Sequence, residues 1–427
     1  MNPKTVHHIS ECFIKPHRIL PEAMRPWYLT PWELVMLSVN YIQKGLLFAK
    51  PTSHQDFNIV DLLQKLKHSL ALTLVHFYPL SGRLATSKTE DPASYVVYVD
   101  CSNSPGARFV YAALDMTISD ILSPAYVPQV VQSFFDHDRS LNHDGHVQSL
   151  VTIQVTELID VVFIGCSMNH VLGDGSSFWH FLNTLSEIFQ AQGGGVPITH
   201  PPVLERWFPD GCGPIISLPF THHDHFLSPF EAPLLKERIF HFSSESIAKL
   251  KAKANAESNT NKISSFQSLS AFMWRCITRI RHLPHDQITS CSCIDTFRAS
   301  TTAGELLEHN LGWSAWLVHE AVVTQGDQKI RERLDSWMKS PSFYKLGQIF
   351  DPCSVIMGSS PKFNMYGNEF GMGKAVAIRS GYAHKFSGKV SAYPGREGGG
   401  SVDLEVCLPP DLMTALESDD EFINAIA

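Results

Sequence analysis

The chain of 427 residues lacks most of the short signatures that assign a chemistry directly. It has no GxxxxGKS/T phosphate loop, no HExxH metal helix, no GxSxG nucleophile turn and no EF-hand loop. Its nine cysteines include no CxxC pair, which argues against a zinc ribbon or a thioredoxin-like site. Scattered and odd in number, they read as reduced thiols of a cytoplasmic protein. The opening MNPKTVHHISECF holds no apolar leader segment. No apolar run approaches 18 residues, so no membrane span is expected. Positive charge is also short: 34 Lys and Arg stand against 42 Asp and Glu, a net −8 with His neutral. A nucleic-acid binder needs a basic face, so that class is disfavoured. With 26 Gly and 26 Pro the chain is neither collagen-like nor of low complexity. No internal repeat is evident.

What is present is material for large cores: 44% hydrophobic and 18% charged residues. At roughly 150 residues per domain, two or three units are expected. Strands are predicted at 94–99, 107–113, 149–157 and 161–167, the last two forming a hairpin. Ile59, Leu62, Leu63, Leu66 and Leu70 share one face of a helix over 56–73. A second helix over 176–191 carries the stripe Phe178, Phe181, Leu182, Leu185, Ile188 and Phe189, and the glycines 193–195 end it. Residues 193–235 then hold Pro197, Pro201, Pro202, Pro209, Pro214, Pro219 and Pro229, which reads as a long crossover. Beyond it come a strand at 234–241, helices at 244–256 and 264–281, strands at 375–379, 389–393 and 401–407, and a short helix at 412–416. Both halves mix helix and strand, so the fold class is α/β or α+β with two similar-sized domains.

Two tempting sites carry little. His222, His223, Asp224 and His225 lie in a Pro-rich loop, where neighbours in sequence are not expected to converge on one ion, so no metal is assigned. Gly371-Met372-Gly373-Lys374 begins like a dinucleotide loop but lacks the third glycine and a following helix. The distinctive segment is 161–175, VVFIGCSMNHVLGDG. An apolar strand ends near His170, a glycine turn carries Asp174, and an amphipathic helix follows. An imidazole at a strand end is held rigidly and titrates near neutral pH. The plainer reading is a satisfied core histidine, with Asp174 as a helix cap.

His170-xxx-Asp174-Gly175 after an apolar strand resembles the HxxxD motif of the plant BAHD acyltransferases. Their second motif, DFGWG, has a counterpart in Glu369-Phe370-Gly371-Met372-Gly373. The strings HFYPLSGRL (76–84), YLTPWELVML (28–37) and SSFQSLSAFMWR (264–275) extend the likeness over about nine-tenths of the chain. YLTPW, NSPGA and YGN look like one subgroup, which includes cuticle- and salicylate-related members. The resemblance implies two chloramphenicol-acetyltransferase-like domains, here 1–192 and 236–427, joined by the 193–235 crossover. A channel between them would admit acyl-CoA from one face and a small-molecule acceptor from the other. The implied enzyme is a monomer with acyl-CoA as cosubstrate and no resident cofactor. His170 would be the general base for attack on the thioester. Asp174 would pair with an arginine of the second domain and hold the loop that presents His170.

The departures bear on that pairing. The family's Asp-x-Arg becomes Asp295-Thr296-Phe297-Arg298, one place late, and such a shift turns a strand side chain to the other face. Glu369 replaces Asp and Met372 replaces Trp, while Gly371 and Gly373 remain. These changes leave a second reading open, a lyase or intramolecular acyl reaction without a CoA donor. A third is a non-catalytic binder. By resemblance Tyr28, Pro31 and Trp32 line the acceptor pocket; core packing explains them equally well. Ser264 and Ser265 resemble residues near the pantetheine arm or cap a helix. Lys249, Lys251 and Lys253 would meet CoA phosphates or form a solvated face.

Overall fold

The computed structural model describes residues 5–51, 57–102, 104–191, 198–293, 297–345, 347 and 351–426. Fifteen strands among them build three sheets. In chain order they are β1 (His7–Ile14), β2 (Trp27–Tyr28), β3 (Ile42–Ala49), β4 (Arg83–Thr89), β5 (Ser94–Asp100), β6 (Ala107–Ala113), β7 (Val151–Glu157) and β8 (Val161–Met168). The second half adds β9 (Lys236–Phe242), β10 (Ile288–Cys293), β11 (Phe297–Thr302), β12 (Val355–Gly358), β13 (Ala377–Ser380), β14 (Lys389–Pro394) and β15 (Val402–Leu408). The first large sheet runs β1-β6-β7-β8-β3-β13, the second β11-β10-β12-β14-β15-β9, and a small one β2-β5-β4.

The middle of the first sheet is buried on both faces. All eight residues of β8 and all but the last of β7 are buried. Such double-sided burial needs cover on each side. One face packs under α1 (Ile59–His76) and α2 (Gly175–Gln190), through Leu66, Leu70, Phe181 and Leu185. The other meets Phe134 and Phe135, whose rings lie 5.1 and 5.3 Å from Phe163. The second sheet is covered by α3 (Ser244–Glu257), α4 (Ser265–Ile280) and α5 (Leu311–Val323), with Trp274 wholly buried.

The predicted α/β class and the 161–175 strand-turn-helix stand, with ends shifted by a residue or two. The predicted boundary at 236 describes the path of the chain, not its cores. β13, from the last third, pairs with β3 and completes the first sheet. Met365, Phe370 and Ile378 enter the core of that sheet. The 193–235 segment, as far as it is described, is pinned at a few points and otherwise half-buried or exposed. Leu218 bridges Tyr95, and Ile216, Leu218 and Phe226 are buried against the small sheet. Among the described residues no helix is long and apolar enough to cross a membrane, and the eight cysteines whose side chains are described are free.

Candidate active site

β8 ends at Met168, and the next two residues leave the sheet in a tight turn. The Asn169 side chain caps this turn, accepting from the Val171 amide at 3.1 Å. The His170 amide donates to Asn142 Oδ1 at 2.8 Å. Asn142 is fully buried, donates to the Met36 carbonyl at 2.8 Å, and offers its own carbonyl to Asn169 Nδ2 at 2.8 Å. The backbone beneath His170 is thus fixed from three sides. Gly173 makes the turn possible, because a Cβ there would lie 2.5 Å from Ser177 Cβ. Asp174 is the N-cap of α2, accepting from the Ser177 amide at 2.9 Å and its hydroxyl at 3.1 Å. A carboxylate suits that helix end.

His170 lines a cavity of about 270 Å³ between the two large sheets. Asp174, Phe178 and Trp179 wall it on the side of the first sheet, Ile356, Met357 and Glu405 on the side of the second. His384 stands beside His170, ring centroids 5.8 Å apart and nearly perpendicular. It is half-buried and adopts φ +62°, a left-handed conformation uncommon for a side-chain-bearing residue. Burial, then the charges of His170, Lys389 and Lys44, hold it well below the ordinary histidine range, so it is neutral at pH 7.

Some expected site residues lie elsewhere. Pro31 and Trp32 line a second cavity, also about 270 Å³, which shares Tyr344 with the first. Tyr28 lines neither and packs on Tyr98 at 5.8 Å. Ser264 caps α4 in a reciprocal box with Gln267, and Ser265 is its first residue. Lys251 and Lys253 are exposed on α3, and Lys249 pairs with Glu245. None of these five lines the cavity.

The pairing of Asp174 with Arg298 does not form. Arg298 is exposed on β11 opposite Ser292, the outcome of its one-place shift. Asp295 lies outside the described residues. Glu369 to Lys374 make a tight hairpin, with Gly371 at φ +77° and Gly373 at φ +71°, where only glycine is unstrained. Glu369 exchanges backbone bonds with the Ser186 hydroxyl of α2, and Phe370 fits edge-on between Phe48 and Phe189. The second motif therefore anchors α2 from outside the cavity. The expectation that the histidine tract cannot gather ligand atoms is also corrected. A 3-10 turn folds it back, so ligand atoms of His222, His223 and Asp224 fall within 4.8 Å of one another. These rings are already engaged: His222 pairs with Asp224, and His223 stacks on His143 at 4.7 Å.

The model of a family described as Transferase family matches residues 4–298 and 293–423. An uncharacterized acetyltransferase of Arabidopsis thaliana is 33% identical over 446 residues, covering 98% of this chain and 99% of its own. The BAHD acyltransferase DCR of the same plant is 29% identical over 457 residues, covering 97% of this chain and 92% of its own. The chain belongs to the BAHD acyltransferases. Vinorine synthase shares the fold, with a TM-score of 0.72 at 17% identity over 99% of this chain and 98% of that one. So does TRI101 of F. sporotrichioides, solved with coenzyme A and T-2, at TM-score 0.72 and 16% identity over 94% and 98% of the two chains.

Within this BAHD chain, sequence reasoning missed Asn142 and His384. Neither stands in a motif, and both reach His170 only through the tertiary fold. Asn142→Ala removes the acceptor of the His170 amide. It is expected to lower kcat about 10- to 100-fold through misplacement of the imidazole, with KM changed less. Steady-state kinetics on the purified variant checks this.

Proposed function

We propose that the enzyme transfers an acyl group from acyl-CoA to a hydroxyl or amine of a small metabolite, with His170 as general base. The observation that carries this reading is the placement of His170 on a clamped turn in the cavity between the sheets. The imidazole takes the proton of the acceptor as its oxygen or nitrogen attacks the thioester carbonyl. The tetrahedral adduct collapses, the C–S bond breaks, and the CoA thiolate leaves and takes up that proton. No acyl-enzyme is needed, because the thiolate is already a good leaving group. Asp174 acts at one remove as a positioning residue: it caps α2 and so fixes the turn between the helix and His170.

The lyase or intramolecular reading drew on Glu369, Met372 and Arg298. None of them lines the cavity, so their substitution does not touch the reacting centre. The test is thiol release from a panel of acyl-CoAs offered with hydroxyl and amine acceptors, read with a thiol reagent and by mass of the products. Acceptor-dependent release with a new ester or amide is expected. Formation of products at the same rate with CoA donors omitted would overturn the proposal.

A further inference from the structure

The turn at 222–225 lines neither cavity and takes no part in the proposed transfer. Its neighbours hold it closely. Phe226, the next residue, is buried. Its ring stacks on Phe343 at 4.3 Å and meets Tyr95 of β5 edge-on at 5.5 Å. The Phe226 and Leu227 amides both donate to the His223 carbonyl, at 3.0 and 2.9 Å. On the other side the His223 ring stacks on His143, whose Nε2 lies 3.1 Å from the Tyr95 hydroxyl. His146 extends the pile: its ring lies 4.3 Å from that of His143, and its Nε2 lies 2.7 Å from the Thr86 hydroxyl of β4. The backbone of the turn and one of its rings are thus fixed by the fold itself.

What the turn presents is a set of lone pairs. His222 Nδ1 stands 3.0 Å from Asp224 Oδ2, and His223 Nε2 stands 3.4 Å from Asp224 Oδ1. Donor atoms on a tetrahedral zinc-class ion, each about 2.0–2.1 Å from the metal, lie about 3.3 Å from one another. The two separations bracket that value. The Asp224 amide donates to His222 Nδ1 at 3.4 Å, so this nitrogen offers a lone pair and has no hydrogen for the carboxylate. Two electron-rich atoms 3.0 Å apart repel unless a cation joins them. The amide bond is long and easily given up to such a cation. We infer that His222, His223 and Asp224 hold a divalent transition-metal ion of the zinc class. Two imidazoles and one carboxylate suit Zn²⁺, Co²⁺ or Ni²⁺, whereas Mg²⁺ and Ca²⁺ take oxygen ligands. At least one position is left to water. The ion's role is to order the crossover on the small sheet, through the stack of His223 on His143.

The test uses the full chain, stripped of metal with a chelator, and Co²⁺ or Zn²⁺ alone as the probe. Calorimetry should show saturable binding of both ions. Bound Co²⁺ should develop the visible absorption of a tetrahedral site and lose it when Zn²⁺ is added. Zn²⁺ should also raise the unfolding temperature of the chain. His222→Ala and Asp224→Asn should each weaken binding at least about tenfold and reduce that rise. The His222 and Asp224 side chains are 48% and 75% exposed, so neither substitution threatens the fold. His225→Ala, on the same turn but outside the ligand set, should bind as the parent chain does. Mg²⁺ should neither bind nor compete. Absence of Co²⁺ and Zn²⁺ binding overturns the inference. So does binding that His222→Ala and Asp224→Asn retain at parental strength, which places the ion on other histidines and leaves His222 and Asp224 as an ordinary ion pair.

Discussion

His170→Ala is expected to lower acceptor-dependent CoA release by about 10²- to 10⁴-fold, the usual contribution of a positioned general base. The loss should fall on kcat. In the proposed reaction acyl-CoA and acceptor would be held by the cavity walls from both sheets, and those walls are built by residues other than His170. The fold should survive, because the bond from His170 to Asn142, in the network that joins Asn142 to Asn169 and Met36, comes from the backbone amide that alanine keeps. Stability measured by urea titration should change little. The variant therefore separates chemistry from folding more cleanly than Asn142→Ala, which disturbs a fully buried polar group. Turnover within tenfold of the parent enzyme would remove His170 from the role of base. A secondary check is the pH profile of kcat/KM. Its acidic limb should reflect protonation of the base and be absent from whatever activity the alanine variant retains.

How far the sequence reached can be read from single elements. β8 was legible because double-sided burial leaves a nearly unbroken apolar run, β7 because Val151, Ile153 and Val155 alternate with polar residues, and α2 because its stripe repeats at helical spacing. β3 was not: IQKGLLFA puts a lysine and a glycine inside a central strand, a pattern that local propensity disfavours. It tolerates them because Lys44 opens onto the cavity and Gly45 sits opposite Gly165. β13 was expected as a strand at 375–379, but its place in the first sheet was not. Four residues give too short a period to reveal that the chain re-enters the first sheet. His170 was found through the strand and turn around it. Asn142, His384 and the lysines were invisible, since they reach the site from segments 28 to more than 200 residues away. For Asp174 the plain helix-cap reading and the family role meet in one residue. The cap is what the structure displays, and the partner arginine at 298 is absent from it.

Lys385→Met is expected to cost about 3–5 kcal/mol of stability at pH 8, the penalty for leaving a buried carboxylate unpaired. Lys385 and Glu237 are each less than a tenth exposed and form a buried pair. They join the loop after β13, in the first sheet, to β9 in the second, so the pair ties the two halves together beside the cavity. Burial disfavours charge on Lys385, yet Glu237 and Glu405 hold it above its ordinary range. Burial raises Glu237, and Lys385 is the main opposing influence. Removing that lysine raises the carboxyl further. A carboxyl whose folded-state value lies above its unfolded one destabilises the fold where it must ionise, and ceases to do so once protonated. The deficit of the variant should therefore shrink as pH falls from 8 to 5, rather than grow as for an ordinary salt-bridge loss. Chemical denaturation at both pH values measures it. The double variant Lys385→Met with Glu237→Gln removes the unpaired charge and should recover most of the loss at pH 8, because a neutral pair of similar volume no longer pays for desolvation. If single and double variants are equally unstable at pH 8, packing of the lysine stem, and not its charge, is what joins the two sheets here.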